Sequence, residues 1–425
     1  MTTMQLGVRH NLNQVLQQLL QVLLVGMTVG MMRNVVPALA ESEFGVPRGS
    51  FVLLVTFVVA FGLVKGGMNF LAGRLAEQHG RQKVLLLGWL LAWPIPFMIF
   101  FSPNWAWIVV ATLLLGANQG LTWSMTQTSV LDLTSPKQRG LVIGLNEFAG
   151  YVGVAVAGIA TGYAATWLGP RAGLLWFGAG VIGVATLSSL FAVVDSRPWL
   201  ALHPQQASHS HATMLSTWSV FRLMTWQDKR MAALSQAGLV EKFVDALVWI
   251  IWPVYLHQQG LALPAIGWVV GSYGITWGVA QLLTGPWSDV VGRHRLNVAG
   301  MWLCGLGVAL FPMAQSVTWW SSTAVLTGLG MAMLYPNLSA AVVDHAAPAW
   351  RASAIGIYRF WRDIGYAVGA AGIGMVAFAT GNLESSFGFV ATSMFMSAAY
   401  LAWRGQEPDV GPKQSLHFHG IGVKD

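Results

Sequence analysis

The chain of 425 residues is 55% hydrophobic and only 9% charged, with a mean hydropathy of +0.58; soluble domains carry about 25% charge, so a water-soluble globule is excluded and an integral membrane protein expected. The formal charge of +7 sits in short loops with no basic stripe and no interleaved aromatics, which excludes a nucleic-acid partner. The single cysteine, Cys304, lies inside an apolar run, which excludes an intramolecular disulfide and a cysteine-based metal site.

The first apolar run follows a polar N-terminus (Asn11, Asn13, Gln14, Gln17, Gln18) and ends without a small-residue cleavage site, so it reads as a retained span and not a signal peptide. Allowing about 20 apolar residues per span, helices are expected at 19–40, 50–72, 84–101, 106–127, 140–165, 173–194, 232–257, 265–285, 296–314, 319–341, 352–379 and 385–403. The long polar stretch 195–231, with "HPQQASHSH", divides these twelve spans six and six. The expected organisation is a six-helix bundle over 1–194, a cytoplasmic connector over 195–231, a second bundle over 232–404 and a cytoplasmic tail over 405–425. Within the connector, 213–230 has the character of an amphipathic helix lying along the membrane surface. Lys and Arg crowd one set of loops, whereas the other set holds only Arg48 and Arg171; basic residues stay on the cytoplasmic side, so both termini are expected there, in an inner (plasma) membrane.

Two loops repeat. "GRLAEQHGRQK" at 73–83 and "GPWSDVVGRHR" at 285–295 share glycines, an acid and bases at one displacement of 212 positions, pairing Gly73 with Gly285, Glu77 with Asp289, Gly80 with Gly292, Arg81 with Arg293 and Lys83 with Arg295. The same displacement superimposes "DLTSPKQRGLVIG" from Asp132 on "DHAAPAWRASAIG" from Asp344. Two independent loops at one spacing mark a duplicated six-helix unit, the organisation of carriers that alternate access between two halves.

On these motifs the chain resembles the major facilitator superfamily, whose signature between helices 2 and 3 reads roughly G-x-x-x-D-x-x-G-R-[RK]-x; Glu77 stands where the usual residue is Asp. The resemblance implies an all-α integral membrane fold of twelve transmembrane helices in two pseudo-symmetric six-helix bundles. It implies that Gly73, Glu77, Gly80, Arg81 and Lys83, with Asp289, Gly292, Arg293 and Arg295 in the second copy, gate the cytoplasmic side, acid and bases bridging the halves in the outward-open state. It also places helices 1 and 7 on a central cavity, with helix 5 facing 8 and helix 2 facing 11. "NQGLTWSMT" at 118–126 and "GLNEFAGY" at 144–151 are similar to a branch that includes magnetosome-associated members, and no substrate class follows from them.

Ionisable residues inside spans are costly and so are functional candidates. Five bases (Arg33, Lys65, Lys242, Arg359, Arg362) and four acids (Glu147, Glu241, Asp245, Asp363) qualify. At the offset of 212, Arg33 corresponds to Asp245 and Glu147 to Arg359. The family fold then implies a cavity pair between Arg33 and Asp245 and a seam contact from Lys65 to helix 11 through Asp363, beside Arg362. Lys65 precedes Gly73 by eight residues and Glu147 follows Arg139 by eight, which places each about 12 Å from its cytoplasmic loop. Glu241 and Asp245 share a helical face that continues through Trp249 and Trp252; acids above an aromatic wall suit a cationic or amphipathic solute, and a buried carboxylate suits proton coupling. A static Arg33–Asp245 lock is the competing reading.

Most of the 21 tryptophans fall near span ends as interfacial anchors; Trp268, Tyr273 and Trp277 in helix 8 are the cavity candidates. Pairs such as Gly62/Gly66 and Gly116/Gly120 allow close helix approach. His203, His209, His211, His417 and His419 lie in connector and tail, and neither a metal nor a cofactor is expected. No P-loop, zinc triad or nucleophile elbow is present, so neither an enzyme nor an ATP-driven pump is expected. The expected function is secondary active transport of a small organic solute by alternating access, as a monomer coupled to protons. Proton-antiporting exporters of the family carry an Arg in helix 4 and a Gly-Pro motif in helix 5, where this chain has Ala117 and glycines without the proline. Proton-coupled efflux is the expected direction, with symport or facilitated uptake, and, from another class, a non-transporting sensor, as the alternatives.

Overall fold

The computed structural model describes residues 4–47, 49–135, 138–200, 202, 216–346 and 350–405. The connector and tail histidines lie outside the described residues, as do the side chains of Glu77 and Asp289. Hydrocarbon offers the backbone no hydrogen-bond partners, so apolar runs close their bonds internally as helices. The long ones are α1 (Leu12–Arg33), α2 (Phe51–His79), α3 (Arg81–Ala92, resumed as Pro94–Phe100), α4 (Trp105–Leu133), α5 (Arg139–Leu168), α6 (Pro170–Phe191), α7 (Lys229–Gln258), α8 (Leu263–Val291), α9 (Arg293–Leu310), α10 (Val317–His345), α11 (Arg351–Thr380) and α12 (Glu384–Arg404). Among the described residues, ten spans are long and apolar enough to cross a bilayer. The two helices not among them, α7 and α8, are as long, at 30 and 29 residues. α7 carries three charges, Glu241, Lys242 and Asp245, in any stretch of span length, and all of its residues from Val240 to Leu256 are buried.

Several boundaries differ from the sequence reading. α1 begins at Leu12, not 19, because amides of its first turns are satisfied by the end of the sixth long helix: Gln14 Nε2 donates to Ala192 O (3.0 Å), and Gln17 Oε1 accepts from Ser188 Oγ (2.9 Å). The two signature stretches are not loops. Gly73–His79 and Gly285–Val291 continue α2 and α8, and only Gly80 and Gly292, both with φ of +96°, turn the chain. Glycine alone adopts that backbone without strain. Lys65 is therefore the midpoint of α2, about 21 Å from its end by rise per residue, and not in the cytoplasmic half as its distance from Gly73 suggested.

The expected surface helix in the connector forms over Thr217–Arg222 and continues as one wide turn, Leu223–Gln227. Phe221 stacks on Trp361 (5.7 Å between rings), Trp361 Nε1 donates to Thr225 Oγ1 (3.1 Å), and Trp218 is left exposed. Asp228 then caps α7, accepting from the backbone N–H groups of Arg230 and Met231.

Helices α1–α6 and α7–α12 meet along two antiparallel seams, α2 with α11 and α5 with α8. The repeat is written into both. A Cβ on Gly62 would stand 2.7 Å from Ala367 N, and one on Gly274 would stand 3.2 Å from Ala155 Cβ. Gly66 faces Ile364 and Gly278 faces Val152, each contact again displaced by 212. Counting along the helices from these contacts, Gly73 falls opposite Gly356 and Gly285 opposite Gly144. Among the described residues, none of these four has an atom of another element within 4 Å of where its Cβ would be. Both seams are closed at mid-depth and open at the end that carries the Gly80 and Gly292 turns, hereafter the turn end.

Candidate transport site

At the turn end, Arg81 Nε donates to Asp132 Oδ2 (3.0 Å) and Arg293 Nε to Asp344 Oδ2 (2.5 Å). These bonds are repeat copies of one another, and each ties the start of α3 or α9 to the end of α4 or α10 in its own half. With the turn end open, each guanidinium lies against an acid of its own half, and the side chains of Glu77 and Asp289 lie outside the described residues. Arg81 is buried, whereas Lys83 and Arg295 are exposed. Gly73 and Gly285 belong to the open seams described above.

At mid-depth the intramembrane charges converge. Arg33 Nη1, at the end of α1, lies 3.1 Å from Asp245 Oδ1 on α7, joining the halves. Asp245 also accepts from Lys242 Nζ (2.9 Å), Tyr366 OH (2.7 Å) and Tyr273 OH (3.2 Å). Lys242 reaches Glu241 at 3.2 Å, and Glu241 accepts from Arg362 at 3.4 Å. A second inter-half pair joins Lys65 of α2 to Asp363 of α11 at 3.5 Å, and Asn69 Nδ2 donates to the same carboxylate. Buried ion pairs hold only when such additional hydrogen bonds satisfy the remaining lone pairs, and Asp245 meets that condition.

A central cavity of ≈ 40 Å³, room for little more than water, opens among these groups. Of the sequence candidates, Arg33, Lys65, Glu147, Arg359, Arg362 and Asp363 line it. Glu241, Asp245 and Trp249 do not: all three are fully buried behind the lining. Trp249 Nε1 donates to Met32 O (3.3 Å), and its ring meets Phe57 and Phe61 edge-on, so it seals the halves together. Trp252 stacks on Phe311 (4.1 Å) in the core of the second half, and Trp268 is exposed. The expected acidic face above an aromatic wall is thus closed to solute, because α7 is surrounded by other helices on that side. Tyr273 and Trp277 are buried near the site, Tyr273 on Asp245 and Trp277 against Tyr151.

Glu147 Oε1 accepts from Trp123 Nε1 (3.0 Å) and Gln127 Nε2 (3.3 Å), and its other oxygen has no hydrogen-bond partner among the described residues. The sequence reading passed over Trp123, Tyr151, Tyr335 and Tyr366, all cavity-lining. The offset held a signal for one of them: it carries Lys65 onto Trp277 and Asp363 onto Tyr151, so an ion pair in one seam has an aromatic pair as its copy in the other. Beyond Trp249 and Phe57, a second cavity of ≈ 490 Å³ lies between the 37–54 segment and the end of α7 at Val254, His257 and Gln258. Among the described residues no group of three His, Cys, Asp or Glu side chains is placed to hold a metal.

Two repeated halves, a polar cavity between them at mid-membrane, and inter-half ion pairs that a rocking motion can break define a secondary-transporter architecture. The chain matches the Major Facilitator Superfamily over residues 19–240 and again over 234–420, and it belongs to that family of multi-pass membrane transporters. An uncharacterized MFS-type transporter of Mycobacterium tuberculosis is 26% identical over 76% of this chain and 69% of its own length. Multidrug resistance protein 1 of Bacillus subtilis is 24% identical over 42% of this chain and 46% of its own. In fold the chain is similar to a D-xylose–proton symporter, with a TM-score of 0.74 at 16% identity covering 93% of this chain and 98% of that one. The nucleoside transporter NupG gives 0.73 at 15% identity, covering 93% and 100%.

Proposed function

We propose that this transporter exports a small organic solute in exchange for protons, as a monomer with both termini in the cytoplasm and the turn end facing inward. The observation that carries the reading is the barrier between the two cavities. Arg33–Asp245 and Trp249–Met32 join the halves there, and each contact is lost if the halves rock apart on the outer side. Closure of the turn end would bring Gly73 against Gly356 and Gly144 against Gly285, four positions without side chains to obstruct it. The signature residues Glu77, Arg81, Lys83, Asp289, Arg293 and Arg295 sit where that closure occurs and serve it as the gate.

Asp245 has four donors on it and no face toward water, so it acts as the latch. Glu147 is the proton site in this reading, since it lines the cavity with one carboxylate oxygen unengaged among the described residues. Relatives named multidrug resistance proteins, including that of Bacillus subtilis and an efflux pump homolog of Lactococcus lactis, favour export over uptake.

The test is internal pH in proteoliposomes under an imposed proton gradient while pools of organic cations, anions and sugars are added. Proton movement evoked by one pool, abolished in Glu147→Gln and also lost in Asp245→Asn, is the expected result. Solute flux with no proton movement would replace exchange by facilitated passage, and unchanged coupling in Glu147→Gln would move the proton site elsewhere.

A further inference from the structure

We infer that the solute of this carrier is an organic anion with an apolar body, held by Lys65, Arg359 and Arg362. The inference rests on the transport reading and names its substrate class. Four bases line the central cavity, Arg33, Lys65, Arg359 and Arg362, against two acids, Glu147 and Asp363. Asp363 is already engaged by Asn69 and Lys65, and Glu147, bonded by Trp123 and Gln127 through one oxygen only, is uncharged whenever it carries the proton. The acids that would have drawn a cation, Glu241 and Asp245, are fully buried behind the wall. Arg359 is partly exposed to the cavity and forms no ion pair among the described residues. A charged group in a confined low-dielectric space attracts its opposite far more strongly than in water, so the cavity favours negative charge.

The aromatic lining points the same way. A cationic ligand needs ring faces, yet the protein's own bases hold them. The Arg362 guanidinium lies 3.7 Å over Tyr335, and Lys65 Nζ is 5.3 Å from the Tyr366 ring, 5.5 Å from Phe61 and 5.8 Å from Trp123. A second cation would meet both a filled face and a like charge. An anion meets the free edges of the same cations, while Phe61, Trp123 and Val154 offer apolar surface to its body.

The test reads the cavity's charge preference without the natural solute. In full-length protein with the buried Cys304 replaced by Ala, a single thiol is placed at Ser124→Cys, with Val154→Cys as a second reporter should the first not fold. Its modification by a negatively charged and by a positively charged methanethiosulfonate is compared with that of free thiol. The negative reagent is expected to react faster by about tenfold after normalisation, and Arg359→Gln to remove most of that preference. A pool of benzoate, octanoate and citrate should slow modification, whereas benzylamine, octylamine and spermidine should not. Equal or reversed reagent preference, or protection by the amines alone, overturns the inference. Anion preference and protection in a protein that moves no pool across proteoliposomes would overturn the transport reading and leave anion binding in the cavity standing. Proton-coupled flux of amines with reversed preference would do the opposite.

Discussion

The two seams between the halves are copies of one another by descent and differ in chemistry where they border the cavity. Where α2 meets α11, Lys65 faces Asp363 at 3.5 Å; at the equivalent positions of α8 and α5, Trp277 and Tyr151 stand ring to ring at 3.7 Å. The glycine contacts around them, Gly62 with Ala367 and Gly274 with Ala155, are preserved. Backbone packing has thus kept its symmetry while the side chains facing the cavity have diverged. One flank of the cavity is an ion pair that can exchange partners with a solute or a proton, and the other is a sealed aromatic contact.

The largest effect expected from breaking this comparison is at the ion pair. Asp363→Leu removes the acid that Lys65 pairs with among the described residues and should cost about 3–5 kcal/mol, the scale for a buried pair robbed of one partner. Lys65→Met combined with Asp363→Leu should recover most of that stability without recovering transport. Thermal unfolding in detergent checks the first part and solute flux the second; a double variant no more stable than the single one would show that the pair is not coupled. The glycine contacts should come next. Gly62→Ala drives a Cβ to 2.7 Å from backbone and Gly274→Ala only to 3.2 Å from a methyl group, so the first should cost about 1–3 kcal/mol and the second less. Equal costs, read from the same unfolding curves, would mean that the α2/α11 seam relaxes freely. The smallest effect belongs to Tyr151→Phe, which keeps the ring against Trp277 and loses only the 3.4 Å bond from Arg362 Nη2. A loss of about 1 kcal/mol or less is expected, with transport retained; abolished transport would make that hydroxyl part of the solute site.

Much of the fold was legible because its signals are local or repeated. Apolar runs of span length do not depend on neighbours, and an offset of 212 recurring in two motifs reports duplication without any knowledge of packing. The family resemblance, read with that offset, implied a contact of Arg33 with Asp245, and the two lie 3.1 Å apart. The reading failed where a shared helical face was taken for a cavity face, as at Glu241, Asp245 and Trp249. Hydropathy misled at helix ends: Gly73–His79 is too polar to count as a span yet stays helical, because a helix is limited by its backbone geometry at Gly80 and not by the polarity of its last turns.

The amino-acid sequence by itself determined the membrane class, the twelve spans, the twofold repeat and the inventory of charges at mid-depth, since each follows from composition or periodicity along one chain. Only the tertiary structure decided which charges face the cavity. Burial of a side chain on α7 depends on what α1, α8, α10 and α11 place around it, and those helices lie from about twenty to more than two hundred residues away. That is why two of the acids that looked most available from their helical face are sealed, and why the bases beside them form the wall a solute meets.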